Sequence, residues 1–297
     1  MSTARNTIKS IYYRVVPPKM RFLFEIARYR YFTDKYIHTL DIEKGLPLFQ
    51  YIEIETLNRC NGKCTFCPVN VNQPQRPYAK MTWELFEKII GELESYSYSG
   101  SINLFSNNEP FLDERILDWM RYTKEKLPDA KLIMFTNGSL LTLERFLETI
   151  KYTSHLHIDN YSDDNTVNKN LREIYDYIQK HPDLEGSANL EGCVYFDMRK
   201  RDEKLTSRGG EAPNRKQAKG IDAACFYPYK QMIIRPDGKC SLCCNDALGK
   251  YTLGDANMQT LKEIWYGEKY TQIRKTMKEA RRKNLELCKH CDTHALV

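Results

Sequence analysis

The chain contains 297 residues, of which 41% are hydrophobic and 28% charged, and its formal net charge is +6. This composition excludes a disordered, collagen-like or coiled-coil protein, and so modest a positive charge does not indicate nucleic-acid binding. The sequence shows neither an apolar segment long enough to span a membrane nor a secretory signal, so we expect a cytoplasmic protein. Ten cysteines in such a chain indicate metal binding rather than disulfides.

Residues 1–50 form a basic, aromatic extension ahead of the first predicted strand. Up to Lys44 the segment holds nine lysines and arginines against four acidic residues, with aromatic residues from Tyr12 to Phe32 between them. Such a segment can lie on an anionic membrane surface as a peripheral contact. It can equally be a helix that packs on the domain with its cations in solvent, and we favour this alternative.

From Tyr51 onward, predicted strands and helices alternate. Thr82 precedes an acidic first turn and is a suitable N-cap for the first helix of this series. Regular alternation predicts parallel βαβ units and therefore an α/β fold. The predicted strands are 51–56, 101–106, 131–135, 154–159 and 187–196, and the predicted helices are 82–96, 113–126, 142–151 and 168–180.

A cluster of three cysteines, Cys60, Cys64 and Cys67, follows the first predicted strand with Cys-x3-Cys-x2-Cys spacing. Thiolates are soft ligands that select zinc or iron–sulfur clusters. Structural zinc requires a fourth ligand, and no cysteine or histidine lies nearby in the sequence. The spacing therefore favours a [4Fe–4S] cluster with one iron left open for substrate or cofactor.

This motif resembles the signature of the radical S-adenosylmethionine (SAM) enzymes, in which an aromatic residue, here Phe66, usually precedes the third cysteine. Two further segments resemble landmarks of that family. Residues 102–110 correspond to a strand that ends in Gly-Gly-Glu-Pro, and residues 131–138 correspond to a strand followed by a Thr-Asn-Gly turn. Glu109 is matched, whereas asparagines replace the two glycines.

The resemblance implies a partial, TIM-like (β/α)6 barrel over residues 51–218, with its site at the C-terminal ends of the strands. It also implies SAM as a cofactor, bound at the open iron. The residues expected beside the cofactor are Phe66, Asn107, Asn108, Glu109 and Asn137.

Residues 199–220 are polar and are predicted to bridge the barrel and a C-terminal module. Arg208 lies in an Arg-Gly-Gly sequence within this bridge. It either pairs with a carboxylate of substrate or SAM, or is a solvated arginine of the linker.

The last quarter of the chain contains a predicted β-hairpin with a Pro-Asp-Gly turn, a predicted helix over 259–281, and six cysteines. Their spacing alone allows either zinc or a [4Fe–4S] cluster. Residues 219–297 resemble the shortened SPASM module, or twitch domain, that follows many radical SAM barrels. The resemblance implies one auxiliary [4Fe–4S] cluster and an external one-electron donor of the flavodoxin or ferredoxin type. The implied ligands of the auxiliary cluster are Cys225, Cys243, Cys288 and Cys291.

The predicted function depends on Cys244, which directly follows one of these ligands. In related peptide epimerases a cysteine at that place returns hydrogen to the substrate. We therefore expect a radical SAM epimerase that inverts a carbon centre, in a carbohydrate such as a sugar, sugar nucleotide or glycoside. The 5′-deoxyadenosyl radical would remove hydrogen and Cys244 would return it. The alternatives are a dehydrogenase with the auxiliary cluster as electron acceptor, or a peptide-modifying maturase.

Overall fold

The computed structural model describes residues 15–42, 44–71, 73–187, 190–215 and 219–294. Its centre is an eight-stranded sheet in the order β10-β9-β8-β1-β2-β3-β4-β7, beside a separate two-stranded ribbon, β5-β6. The strands are β1 Tyr51–Ile54, β2 Ser101–Asn103, β3 Lys131–Thr136, β4 His155–Tyr161, β5 Gly186–Ser187, β6 Leu190–Glu191, β7 Val194–Arg199, β8 Gln231–Ile234, β9 Lys239–Ser241 and β10 Thr252–Asp255.

Six neighbouring strands of the large sheet are parallel, which confirms the predicted α/β barrel architecture. The sixth parallel strand is β8, the first strand of the C-terminal hairpin. It pairs with β1 from Tyr51 beside Gln231 to Ile54 beside Ile234. Strand β9 then turns back antiparallel to β8, as the hairpin prediction requires. The barrel and the C-terminal module therefore share one sheet.

Helices occur throughout the described residues, and several of them bury apolar side chains in one core with the sheet. They are α1 Pro18–Thr39, α2 Pro68–Val71, α3 Trp83–Ser95, α4 Ile116–Lys126, α5 Leu143–Ile150, α6 Arg172–Lys180, α7 Tyr227–Lys230, α8 Leu261–Trp265 and α9 Glu268–Ala280. The Thr82 side chain accepts a hydrogen bond of 3.2 Å from Leu85 N, which confirms it as the N-cap of α3. Ile52, Ile102 and Leu132 on neighbouring strands are fully buried in the shared core. The opposite face of the strands is left to form the barrel interior.

The predicted strand over 187–196 is wrong, because the chain turns at Gly192. An added Cβ there would lie 2.4 Å from the carbonyl oxygen of Glu185, so only glycine fits this close approach. Residues before the turn belong to the ribbon, and β7 begins at Val194.

The single helix predicted over 259–281 is also wrong, because it is divided into α8 and α9. Gly267 between them has an extended backbone (φ −66°, ψ 164°). An added Cβ would lie 2.7 Å from the carbonyl oxygen of Glu263. The tight turn therefore depends on glycine, which is also a poor helix former.

The extension is helical over α1 and packs on the C-terminal module, as the favoured alternative expects. Tyr29, Thr33 and Ile37 are buried along one helix face, and Tyr29 meets the ring of Phe226 edge-on at 5.8 Å. Predictions for residues 1–14, including Tyr12, lie outside the described residues. Within the described part of the chain, no helix is both long and apolar enough to cross a bilayer.

Candidate active site and cysteine clusters

A cavity of ≈ 290 Å³ lies at the C-terminal ends of the barrel strands. This is where parallel α/β barrels place their active sites. The structure brings together here the cysteine loop and every residue that the sequence places beside the cofactor. The lining includes Cys60, Cys64, Phe66, Cys67, Phe105, Ser106, Asn107, Asn108, Glu109, Asn137, Asp159, Tyr161, Arg199 and Arg208.

The cysteine loop curls tightly around its sulfur atoms. Gly62 N donates a hydrogen bond of 3.3 Å to Cys60 Sγ. An added Cβ at Gly62 would lie 3.3 Å from Cys60 Sγ and 3.9 Å from Cys64 Sγ, so a larger residue there would crowd the Cys60 sulfur. Burial raises the pKa of Cys60 to about 12 and that of Cys64 to about 11. Iron binds cysteine as the thiolate, and its positive charge would offset the free-energy cost of deprotonating these buried thiols.

Glu109 is bound on both carboxylate oxygens by the turn after β3. Its Oε1 accepts hydrogen bonds from Thr136 Oγ1 (2.7 Å) and Phe111 N (3.2 Å), and its Oε2 accepts one from Asn137 N (2.8 Å). Burial raises the pKa of this carboxyl, and these hydrogen bonds oppose the rise. The predicted cofactor residue Glu109 thus fixes the position of a second one, Asn137.

Asn107 is held in place by a buried ion pair beneath it. The pair joins Arg76 Nη2 to Glu55 Oε2 at 2.9 Å, and the two side chains are 7% and 2% exposed. Asn107 N donates to Glu55 Oε1 (3.2 Å), and Arg76 Nη1 donates to the carbonyl oxygen of Asn107 (3.1 Å). Next to it, Asn108 Oδ1 accepts from Ser106 N at 3.0 Å. The two asparagines that replace the family's glycines are therefore both part of a fixed loop.

Arg208 links this loop to the C-terminal module. Its guanidinium donates to Asn107 Oδ1 and, at 2.9 Å, to the carbonyl oxygen of Cys244. Its backbone is in the left-handed region (φ 50°), which is costly for a residue other than glycine. Strain of this kind commonly persists at functional sites. Of the two predicted roles, the cavity position excludes a solvated linker arginine.

The opposite wall of the cavity contains residues that the sequence analysis missed. Asp159 Oδ1 pairs with Arg199 Nη1 at 3.3 Å, and the ring of Tyr161 lies 6.0 Å from that of Phe66. Burial raises the pKa of Asp159 to about 6, against the opposing charge of Arg199. Alternation along β4 was the available signal, because Ile158 faces the helices and Asp159 must then face the barrel interior.

A second, smaller cavity is surrounded by the four cysteines predicted to bind the auxiliary cluster. Arg282 lines the same cavity and is 1% exposed. Its guanidinium donates to the carbonyl oxygen of Cys291 (3.0 Å) and to Tyr29 Oη (3.0 Å) on α1. This buried cation lowers the pKa of Cys225, although burial is the larger effect and raises it. The four cysteines are Cys225, Cys243, Cys288 and Cys291.

Groups of cysteine thiols line both cavities, three in the larger one and four in the smaller one. Among the described residues, no three His, Cys, Asp or Glu side chains converge closely enough to hold one metal ion. A single zinc ion draws its sulfur ligands to about 2.3 Å. A [4Fe–4S] cluster is larger and keeps its cysteines farther apart. Cysteine thiols in sets of three and four are the donors that hold iron–sulfur clusters, so the residues present fit a cluster in each cavity.

The remaining cysteines of the C-terminal group lie elsewhere. Cys240 is fully buried in the core on β9. The carbonyl oxygen of Cys244 accepts hydrogen bonds from Asn107 and Arg208. Cys244 is not among the described residues that line the larger cavity.

Two family models match the chain. The model of the radical SAM superfamily matches residues 54–180, and that of the SPASM iron–sulfur cluster-binding domain matches residues 225–292. The second match contains all four cysteines of the smaller cavity.

Curated and solved proteins agree with these matches. The chain is 29% identical over 247 residues to the S-adenosyl-L-methionine-dependent 2-deoxy-scyllo-inosamine dehydrogenase of Niallia circulans, covering 82% of this chain and 93% of the relative. It is similar to the crystal structure of BtrN in complex with AdoMet and 2-DOIA, with 26% identity, a TM-score of 0.70, and coverage of 84% of this chain and 95% of BtrN. The AdoMet-bound structure of anSMEcpe has a TM-score of 0.55 at 15% identity, with coverage of 82% and 89%, and shows the fold alone.

The dehydrogenase relative overturns the epimerase prediction, which is wrong. That prediction relied on Cys244 as a hydrogen donor, because in related peptide epimerases a cysteine at this place returns hydrogen to the substrate. Oxidation, the reaction in that relative's name, requires no hydrogen return to the substrate.

Proposed function

Since the chain belongs to the radical SAM superfamily and carries a C-terminal iron–sulfur cluster-binding domain, we propose that it is a SAM-dependent dehydrogenase of a small molecule. The proposed substrate is an aminocyclitol or a similar amino-substituted cyclic polyol, oxidised at a carbon that bears a hydroxyl group. The observation that carries this proposal is the similarity to the inosamine dehydrogenase, which extends over 82% of the chain.

The cofactors of these two domains are SAM and [4Fe–4S] clusters. When bound, they supply an oxidant that removes a hydrogen atom from carbon, and an acceptor for one further electron. We propose that Cys60, Cys64 and Cys67 hold the SAM-binding cluster at the larger cavity. The auxiliary cluster would occupy the smaller cavity, held by Cys225, Cys243, Cys288 and Cys291. A flavodoxin or ferredoxin would supply the electron for the SAM-binding cluster.

The two cavities are joined by a short series of contacts, which supports oxidation. Asn107 and Arg208 line the larger cavity, and both donate to the carbonyl oxygen of Cys244. Cys244 is bonded directly to Cys243, which lines the smaller cavity. An electron leaving a substrate in the larger cavity thus has a compact path through the protein to the auxiliary site. We assign residues 51–218 to the barrel and 219–297 to the auxiliary module, with β8 completing the barrel sheet.

The polar lining of the cavity suits a hydroxylated, amine-bearing substrate. Asp159 offers a carboxylate, Arg208 offers a guanidinium, and Phe105 and Phe135 provide an apolar surface with their rings 5.2 Å apart. Hydroxyl and ammonium groups bind such charged acceptors and donors, while the carbon ring can pack on the aromatic surface. These groups favour a small polyol over a long peptide.

The test uses anaerobically reconstituted enzyme with SAM, a reductant and 2-deoxy-scyllo-inosamine in deuterated water. We expect a product that is two hydrogens lighter, formed together with one 5′-deoxyadenosine per molecule. A product of unchanged oxidation level with one deuterium on carbon would contradict the proposal. So would SAM cleavage without any change in this substrate or in a panel of related amino-substituted polyols.

A further inference from the structure

Glu53 on β1 is a buried carboxyl that the proposed cofactor sites do not use. Its side chain is 7% exposed and faces the barrel interior, since its neighbours Ile52 and Ile54 face the helices. Its Oε2 accepts a hydrogen bond of 2.6 Å from Ser106 Oγ, and its Oε1 accepts one of 2.7 Å from Gln231 Nε2. Two strong hydrogen bonds therefore fix its orientation.

The charge of Glu53 is compensated far less than that of its neighbour Glu55. Glu55 accepts two hydrogen bonds from Arg76, whereas no ion pair among the described residues includes Glu53. Burial raises the pKa of Glu53 to about 7, with the Ser106 hydrogen bond and the charge of Arg208 opposing the rise and Glu55 adding to it. Near neutral pH this group can therefore both hold and release a proton.

Ser106 connects Glu53 to the cavity. Ser106 lines the cavity wall, donates to Glu53, and accepts a hydrogen bond of 3.2 Å from Asn107 Nδ2. A hydroxyl that donates to a carboxylate and faces a cavity can accept a proton on one side and pass its own proton to the other. A continuous route for a proton thus leads from the cavity to the barrel interior.

The far end of this route lies beside buried polar atoms without partners. Gln231 Oε1 and Asn103 Oδ1 have no hydrogen-bond partner within the described residues. Asn103 is the register neighbour of Glu53 on β2, so both side chains lie on the same face of the sheet. Buried acceptors of this kind are sites for ordered water, which can carry a proton onward.

We infer that Ser106 and Glu53 form the proton acceptor for the oxidation of the substrate hydroxyl. This inference rests on the proposed dehydrogenase function. The SAM-derived oxidant would take the C–H hydrogen as an atom, and the auxiliary cluster would accept the one electron then left on carbon. The O–H proton passes to Ser106 Oγ, and the Ser106 proton passes to the Glu53 carboxylate. The carbon–oxygen double bond forms as these two particles leave, so atoms and electrons balance.

The step requires Glu53 in its ionised form, and so the rate should increase with pH. Four other ionisable groups interact electrostatically with Glu53. They are Glu55 on the same strand, Arg208 in the bridge, Tyr227 on α7 and Cys244 after β9. Burial raises the pKa of the Cys244 thiol to about 12, and the neighbouring Cys244 together with burial raises the pKa of Tyr227, so both groups are neutral near pH 7. Burial also raises the pKa of Glu55, against the charge of Arg76 in its ion pair. We assign the change in rate near neutrality to Glu53, whose pKa burial raises to about 7.

The experiment compares wild type with Glu53→Gln and Ser106→Ala, using substrate deuterated at the oxidised carbon. Deuterium transfer into 5′-deoxyadenosine reports hydrogen-atom removal, and ketone formation reports the complete oxidation. We expect wild type to give one ketone per labelled 5′-deoxyadenosine. In both variants the ketone yield should fall more than tenfold, while label transfer stays within about threefold. Glu53→Asp, which keeps a carboxylate, should restore part of the yield.

Two further readouts separate proton transfer from a structural effect. Ketone formation by wild type should rise with pH through about 7. Glu53→Gln should lose this rise and keep only the dependence that comes from Asp159, whose pKa is about 6. Infrared spectra of the reconstituted enzyme should show a protonated carboxyl band that titrates over the same interval and is absent from Glu53→Gln. Iron content should be equal in all variants, and if Glu53→Gln fails this control, Ser106→Ala provides the same comparison.

The outcomes distinguish this inference from the function on which it rests. If wild type forms no ketone, the proposed dehydrogenase function is wrong. If wild type forms ketone and both variants match it in yield and in pH profile, then Ser106 and Glu53 are not the proton acceptor and the dehydrogenase function stands.

Discussion

The guanidinium of Arg208 donates a hydrogen bond of 2.9 Å to the carbonyl oxygen of Cys244, and so ties the cavity wall to the residue beside Cys243. The same side chain binds Asn107 on the cofactor side of the cavity. Arg208 and Asn107 together therefore link the two candidate cluster sites.

Arg208→Lys should reduce product formation at least tenfold without loss of iron. A lysine ammonium keeps the charge, but it is a compact group that cannot reproduce the planar fork that bridges Asn107 and Cys244. Product yield and iron content of the reconstituted variant check this prediction. Full activity in Arg208→Lys would show that only the positive charge matters.

Cys244→Ala should retain dehydrogenation within about threefold of wild type. Oxidation needs no hydrogen donor, and the contacts of Cys244 with Asn107 and Arg208 use its backbone carbonyl, which alanine keeps. The measurement is ketone yield per 5′-deoxyadenosine. A variant that keeps both clusters and yet loses all ketone formation would restore a catalytic role for this thiol.

Reconstituted wild type should contain about eight irons per chain, as expected for two [4Fe–4S] clusters. Cys288→Ala/Cys291→Ala should lower this to about four, because it removes two thiols from the smaller cavity. Cys240→Ala is the matched control, since Cys240 is fully buried in the same module but lies in its core. Stoichiometric zinc in the module, or loss of iron from Cys240→Ala, would contradict the assignment.

Arg76→Met should destabilise the protein by about 3–5 kcal/mol, because it leaves the Glu55 carboxylate buried without its partner. Adding Glu55→Leu should recover much of this loss, since the uncompensated charge is then gone. Lys151→Met removes an exposed ion pair with Glu148 and should destabilise the protein far less than Arg76→Met does. Urea unfolding measures all three, and equal losses for Arg76→Met and Lys151→Met would disprove the prediction.

The stability of wild type should fall relative to Glu53→Gln as pH rises from 5 to 8. Burial raises the pKa of Glu53 from its ordinary 4.5 to about 7, so the folded protein holds this proton more tightly than the unfolded chain does. The stabilisation of the folded state by protonated Glu53 is therefore complete below pH 4.5, and it is lost as pH rises through about 7. The difference corresponds to about 3 kcal/mol. Parallel pH profiles in urea unfolding would contradict it.

Much of the fold followed from local sequence. The threonine cap of α3, the alternation of strands and helices, and the Pro-Asp-Gly hairpin all depend on neighbouring residues, and each is present. Breaks at Gly192 and Gly267 were missed, because a lone glycine becomes decisive only when another segment approaches it closely. The position of β8 beside β1 depends on contacts between distant parts of the chain, which no local pattern contains.

The sequence predicts the cysteines of the candidate site but not the hydrogen bonds that position its other residues. The spacing of the cysteines indicates two clusters, and both sets of cysteines line cavities. Glu53 and Glu55 alternate with isoleucines in one strand, and this was a signal for an inward-facing polar side. Their different partners, Ser106 for one and Arg76 for the other, appear only when the loops after β2 and before α3 are in place.

The pairing of Tyr51 with Gln231 also bears on how the chain is synthesised. During synthesis one edge of β1 stays unpaired, because its partner β8 leaves the ribosome much later. The βα units between them can already pack against one another. During that interval an unpaired strand edge is open to other nascent chains. A chain that ends before β8 should therefore aggregate rather than accumulate as an independent barrel.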